Sequence, residues 1–173
     1  TSRFEKAAHG IKDASFHLTL LVKNETGYRN LMKLATIGYL EGFYYRPRMD
    51  KEVLARFHEG LIGLSGCLKG EIAHHLRTDD MHGAERAALE YREIFGKDNF
   101  YIEIYRHGIE EQDRVVEGLR ELAKNLGIPL VATNDVHYIH RADYESHDAL
   151  LCIGTGANLD EPNRMRYATD QFY

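Results

Sequence analysis

Four runs along the chain gather apolar residues into short blocks: "SFHLTLLVKN" (15–24), "GLIGLSGCL" (60–68), "NFYIEIYRH" (99–107) and "PLVATNDVHY" (129–138). Their richness in Leu, Ile, Val and Tyr, with polar or turn-forming residues at their edges, predicts four β-strands. Between them the apolar positions return at helical spacing. Residues 28–42 carry Leu31, Leu34, Ala35 and Gly38 on one stripe, with Leu40 off it. Residues 51–58 follow Asp50, a residue suited to an N-cap. Residues 80–95 align Ala84, Ala87, Ala88, Tyr91 and Phe95, and Gly96 ends the pattern. Residues 110–126 repeat Val115, Val116, Leu119, Leu122, Ala123 and Leu126, then meet Gly127 and Pro129. A last helix is expected over 142–153, closed by "GTG".

Strand and helix in alternation predict an α/β fold with a mainly parallel sheet. Continuous apolar strands fit a sheet covered by helices. The pattern alone is compatible with an open doubly wound sheet or with a barrel. With 173 residues and no internal repeat or long linker, one domain is expected. The net charge of −5 argues against a chain that coats nucleic acid by bulk electrostatics. It leaves room for a local basic patch at Tyr44-Tyr45-Arg46-Pro47-Arg48. No apolar run approaches the ~20 residues of a membrane span, and no signal peptide opens the chain, so a cytoplasmic protein with no membrane partner is expected. The two cysteines, Cys67 and Cys152, form no CxxC pair, which points to a reducing compartment. The start at Thr1 without Met, and the stop at "TDQFY", give the expectation of a fragment of a larger protein.

Candidate chemistry gathers where strands leave the core, which is where parallel α/β folds bind ligands. The fourth strand presents Asp135 and His137; on an extended backbone residues i and i+2 point the same way. That is a two-ligand arm for a metal, a carboxylate orienting an imidazole, or simply a polar strand end facing water. The third strand ends in Glu103, Arg106 and His107, and the second in Ser65, Gly66, Cys67 and Lys69. His17 stands near the start of the first strand, the wrong end under that rule unless the strand is shorter than its apolar run. Carboxylate, imidazole and thiolate are the usual zinc ligands, and ten histidines invite the search. Each residue also has a plainer role. Cys67 can be a small buried residue, His107 can cap a turn, and His17 can be a hydrogen-bonded core histidine. His74 and His75 read as surface residues, His140 and His147 lie beyond the strand, and Glu103 is expected in a salt bridge.

Beyond these residues a longer likeness emerges. "HLTLLVKNETGYRNLMKL" (17–34), "GFYYRPRMD" (42–50), "GLIGLSGCLKGEI" (60–72), "YIEIYRHGIEEQDRV" (101–115), "GIPLVATNDVHY" (127–138) and "HDALLCIGTGANLDEPNRMRY" (147–167) resemble the PHP (polymerase and histidinol phosphatase) domain of the bacterial C-family replicative polymerases, the DNA polymerase III alpha subunits. The resemblance runs over essentially the whole chain. It implies a distorted seven-stranded βα barrel, TIM-like and mostly parallel, of which this chain would be the C-terminal part, with the N-terminal strands, the palm, fingers and thumb absent. It implies metal ligands at His17, Cys67, Asp135 and His137, with His107 as a further candidate. The family's initial HxH pair, the next Asp and His, and a Glu have no counterpart here.

On that resemblance, the whole protein is expected to be a DNA-directed DNA polymerase. Its PHP site would be a metal-dependent 3′-5′ exonuclease centre using Asp135 and His137, with zinc, or else manganese or magnesium, as the cofactor. This chain alone is expected to hold one weakly bound metal or none, and to be inactive. A structural, partner-binding module without catalysis is the alternative. DNA and other replicase subunits are the expected partners, together with self-association through an exposed sheet edge. A stand-alone small-molecule phosphatase fits less well, because "YYRPRMD" and "LDEPNRMRY" resemble the polymerase branch.

Overall fold

The computed structural model describes residues 2–5 and 15–173. Its sheet has four strands in the order β1 (Thr19–Val22), β2 (Leu61–Leu64), β3 (Phe100–Ile104) and β4 (Leu130–Ala132). The pairs β2–β3 and β3–β4 are parallel, with Gly63 beside Phe100 and Ile102 beside Leu130. The first strand runs antiparallel to β2, pairing Thr19 with Leu64 and Val22 with Leu61. The fold is therefore an open, mostly parallel α/β sheet. All four strands fall inside the predicted apolar runs and neighbour one another in sequence order.

Among the described residues six α-helices accompany the sheet: α1 (Glu25–Leu40), α2 (Lys51–Arg56), α3 (Glu71–Arg77), α4 (Met81–Phe95), α5 (Glu110–Leu126) and α6 (Tyr144–Thr155). Local chemistry sets their ends. Asn24, Asp50 and Asp80 each accept a hydrogen bond from a first-turn backbone N–H, at 3.0, 3.2 and 2.8 Å. Gly127 and Gly156 end α5 and α6 in the left-handed conformation, with φ of 64° and 70°. The short helix α3 falls where no element was predicted, because seven residues give the 3.6-residue period too little length to register.

The core lies between the two central strands and helices α3, α4 and α5. Leu61, Phe100 and Ile102 pack with Ile72, Ala88, Phe95, Leu119 and Leu122, all nearly inaccessible to water. The outer strands differ: every residue of β1 and β4 is exposed or half-buried.

Candidate functional site

The antiparallel start of the sheet decides where His17 goes. Because β1 runs against β2, the segment preceding Thr19 lies beside the segment following Leu64. The His17 backbone N–H donates to the Lys69 carbonyl at 2.9 Å. His17 thus sits at the same end of the sheet as the exits of β2, β3 and β4, although it precedes its strand. Its Nδ1 is 3.7 Å from the Cys67 Sγ. Gly66 makes this approach possible: its φ is 80°, and a Cβ there would stand 2.6 Å from the His17 carbonyl oxygen.

Electrostatics tie the other candidates to this pair. Burial foremost, and then the Lys69 charge, lowers the His17 imidazole pKa, while the Asp135 carboxylate works against the shift. Burial, with Asp135 contributing, pushes the Cys67 thiol up. Both shifts favour the uncharged forms, the neutral imidazole and the thiol. The Tyr167 phenol is raised by burial and then by the charges of Asp135 and Cys67. Tyr105 is buried, its Oη has no hydrogen-bond partner among the described residues, and burial, then Cys67 and Asp135, drives its pKa upward.

The Asp135–His137 arm departs from the extended geometry on which the alternation argument rests. Strand β4 stops at Ala132, and Asp135 has a φ of 43°, in the left-handed region that Asp tolerates better than most residues. His137 Nδ1 lies 2.5 Å from the backbone oxygen of Asp135, so the main chain, and not the carboxylate, orients the ring. Its Nε2 meets the Tyr167 hydroxyl at 2.8 Å. The last residues strap over this arm, with the backbone N–H of His137 donating to the Phe172 carbonyl at 2.8 Å.

His107 lies apart in kind. It is 1% exposed, and its ring stacks on Phe172 with centroids 4.0 Å apart. Gln112 Nε2 donates to its Nδ1 at 2.7 Å, and its Nε2–H donates to the Asn134 carbonyl at 2.9 Å. Both ring nitrogens are spoken for. Glu103, expected in a salt bridge, instead accepts from the Gly66 N–H at 3.0 Å and from the Thr133 hydroxyl at 2.6 Å. Its own N–H donates to Ser65 Oγ at 2.9 Å. One buried carboxylate thus fastens the exits of β2, β3 and β4, a role invisible to local patterns because its partners are 30 to 38 residues distant. His75, expected at the surface, is half-buried and contacts Asp80 at 2.9 Å.

Two ligands of one tetrahedral zinc, with bonds of about 2.3 Å to sulfur and 2.0 Å to nitrogen, stand roughly 3.5 Å apart. His17 and Cys67 come close to that spacing, and their donor chemistry suits zinc. Among the described residues no group of three or more His, Cys, Asp or Glu could hold a metal ion. The geometry therefore offers a two-ligand half-site, with a carboxylate nearby and an orphan phenol facing the same charges.

An α/β sheet with its polar chemistry at the exits of parallel strands defines the class. Residues 4–107 match the PHP domain family, and the chain belongs to that family. It is 51% identical over 99% of its length to the DNA polymerase III subunit alpha of Treponema pallidum. The DNA polymerase III alpha subunits of Borreliella burgdorferi and Thermus aquaticus are 46% and 47% identical over 100% and 99% of the chain. The chain spans 15%, 15% and 14% of the lengths of these three relatives. Among the described residues no helix is long and apolar enough to cross a membrane.

Proposed function

We propose that this chain is one incomplete PHP domain of a cytoplasmic replicative DNA polymerase. Its four strands would be part of a distorted seven-stranded barrel in the longer polypeptide, with DNA and other replicase subunits as partners. We further propose that its strand exits form part of a metal-dependent phosphoesterase centre that removes 3′-terminal nucleotides. The observation that carries this is the 3.7 Å His17–Cys67 pair at the exit end of the sheet. His17 and Cys67 would hold the cation, zinc before manganese or magnesium because a thiolate is among the donors. Asp135 and His137 would complete its surroundings. Such a cation, when bound, activates water and stabilises the leaving oxygen of a phosphodiester. The residues of this chain contribute orientation: Glu103 fixes the exits, and the Asp135 carbonyl fixes the His137 ring. Ligation through His137 Nε2 requires the Tyr167 hydroxyl to give way.

A second reading makes the domain a scaffold that supports the polymerase and docks another subunit. It is favoured by the engagement of both His137 nitrogens and by the absence of a three-ligand group among the described residues. The deciding experiment is Asp135→Asn in the full-length polymerase. The phosphoesterase reading expects loss of metal-dependent 3′ exonuclease activity with DNA synthesis retained. Unchanged exonuclease activity overturns it and leaves the scaffold.

A further inference from the structure

The mouth beside His17 is bordered by two exposed cations, Arg46 and Lys69. The His17 backbone N–H donates to the Lys69 carbonyl at 2.9 Å, and Pro47 and Arg48, which follow Arg46, line one cleft with Phe16 and Leu18, which flank His17. Among the described residues neither Arg46 nor Lys69 makes an ion pair, whereas the acids near this turn are taken: Glu41, Asp50 and Glu52 all bind Arg3. The turn carrying Arg46 is tight, closed by a 3.1 Å bond from the Tyr44 N–H to the Arg46 carbonyl. It is pinned from behind by Arg48, whose guanidinium donates to the Gly42, Arg3 and Glu5 carbonyls. At its tip Tyr45 holds a φ of 60°, a conformation that a bulky residue keeps only when its surroundings impose it. The result is an aromatic ring left 79% exposed.

Tyr44 braces the Tyr45 ring edge-on, with centroids 4.7 Å apart, and leaves most of that ring open to solvent. Exposed cations next to an exposed ring are the elements of single-strand recognition. A base within a duplex is already stacked and offers no open face, so the pattern fits an unpaired end. We propose that Tyr45, Arg46 and Lys69 form a clamp for the 3′ end of single-stranded DNA, Arg46 and Lys69 holding backbone phosphates and Tyr45 stacking on an unpaired base. The assignment of the 3′ end rests on the phosphoesterase reading above; the clamp itself needs no metal.

The test uses the full-length polymerase in EDTA and a single-stranded oligodeoxynucleotide carrying 4-thiothymidine at its 3′ terminus. Irradiation should label the peptide containing Tyr45. The label should fall by about tenfold in Arg46→Glu/Lys69→Glu, remain largely in Arg46→Lys, and persist in Asp135→Asn. An unchanged circular dichroism spectrum and thermal melting midpoint in each variant verify folding. An unlabelled single strand should protect where thymidine 5′-monophosphate does not. The clamp is refuted by absence of label from the Tyr45 peptide, by equal labelling in the double variant, by equal protection by the mononucleotide, or by equal labelling of a blunt duplex. Because no step requires metal or cleavage, the clamp and the phosphoesterase reading fail separately.

Discussion

Two strand exits of the same sheet handle their polar residues in opposite ways. At the β3 exit, Glu103 and His107 are buried, and the backbone N–H and both ring nitrogens of His107 have protein partners. At the β2 exit, His17 and Cys67 share only a long contact, and Lys69 and Arg46 beside them lack carboxylates among the described residues. Buried polar groups with all partners in place stabilise a fold. Groups at a mouth with open valences are where a ligand can add something. The same residue type, histidine, is cement in one place and candidate chemistry in the other, and satisfaction is what separates them.

The comparison breaks most easily at Glu103. Glu103→Ala orphans the Gly66 N–H and the Thr133 hydroxyl, and should lower stability by about 3 kcal/mol in urea unfolding. A loss below about 1 kcal/mol would mean that the exits are not fastened there. His107→Phe keeps the stack on Phe172 but loses the polar bonds, and should cost about 2 kcal/mol without changing metal uptake. Gly66→Ala should cost about 1–2 kcal/mol, because it must adopt a left-handed backbone against the His17 carbonyl. It should also weaken any metal binding by separating His17 from Cys67. His17→Ala and Cys67→Ser should each change stability by less than about 1 kcal/mol, while the first weakens metal affinity at least tenfold and the second abolishes thiolate ligation.

The sequence revealed the sheet better than the site. Leu, Ile and Val blocks fixed four strands because burial demands them, and the Ala-rich face of α4 and the apolar face of α5 were equally legible. The direction of β1 was not, since hydrophobic pattern carries no sign of parallel or antiparallel pairing; yet that direction brings His17 to Cys67. The Asp135–His137 spacing suggested an extended arm, but the left-handed backbone at Asp135 removed the alternation. Glu103 was misread because its partners come from two other strand exits. The pairing of His17 with Cys67 was accessible through the family resemblance and not through any local motif.

Acid should sharpen the contrast least, through carboxyls that take no part in the His17–Cys67 pair. The Arg164 guanidinium beside Asp148, and that of Arg141 beside Asp170, hold those carboxyls below the usual range, as the Gly83 N–H does for Asp80. Their folded pKa values lie below an unfolded value of about 3.9, so their contribution is present above that pH and is lost as pH falls further. Melting followed from pH 6 to pH 2 should show stability declining below about pH 4. The decline should be smaller in Asp148→Asn.

The central claim is that the β2 exit is poised for a cation held by His17 and Cys67. Cobalt titration of the full-length polymerase tests it most directly, because thiolate ligation gives a sulfur-to-cobalt charge-transfer band in the near ultraviolet. The band should appear on cobalt addition, vanish in Cys67→Ser, weaken at least tenfold in apparent affinity in His17→Ala, and be displaced by zinc. A band that survives Cys67→Ser, or none in the unmutated protein, would contradict the account.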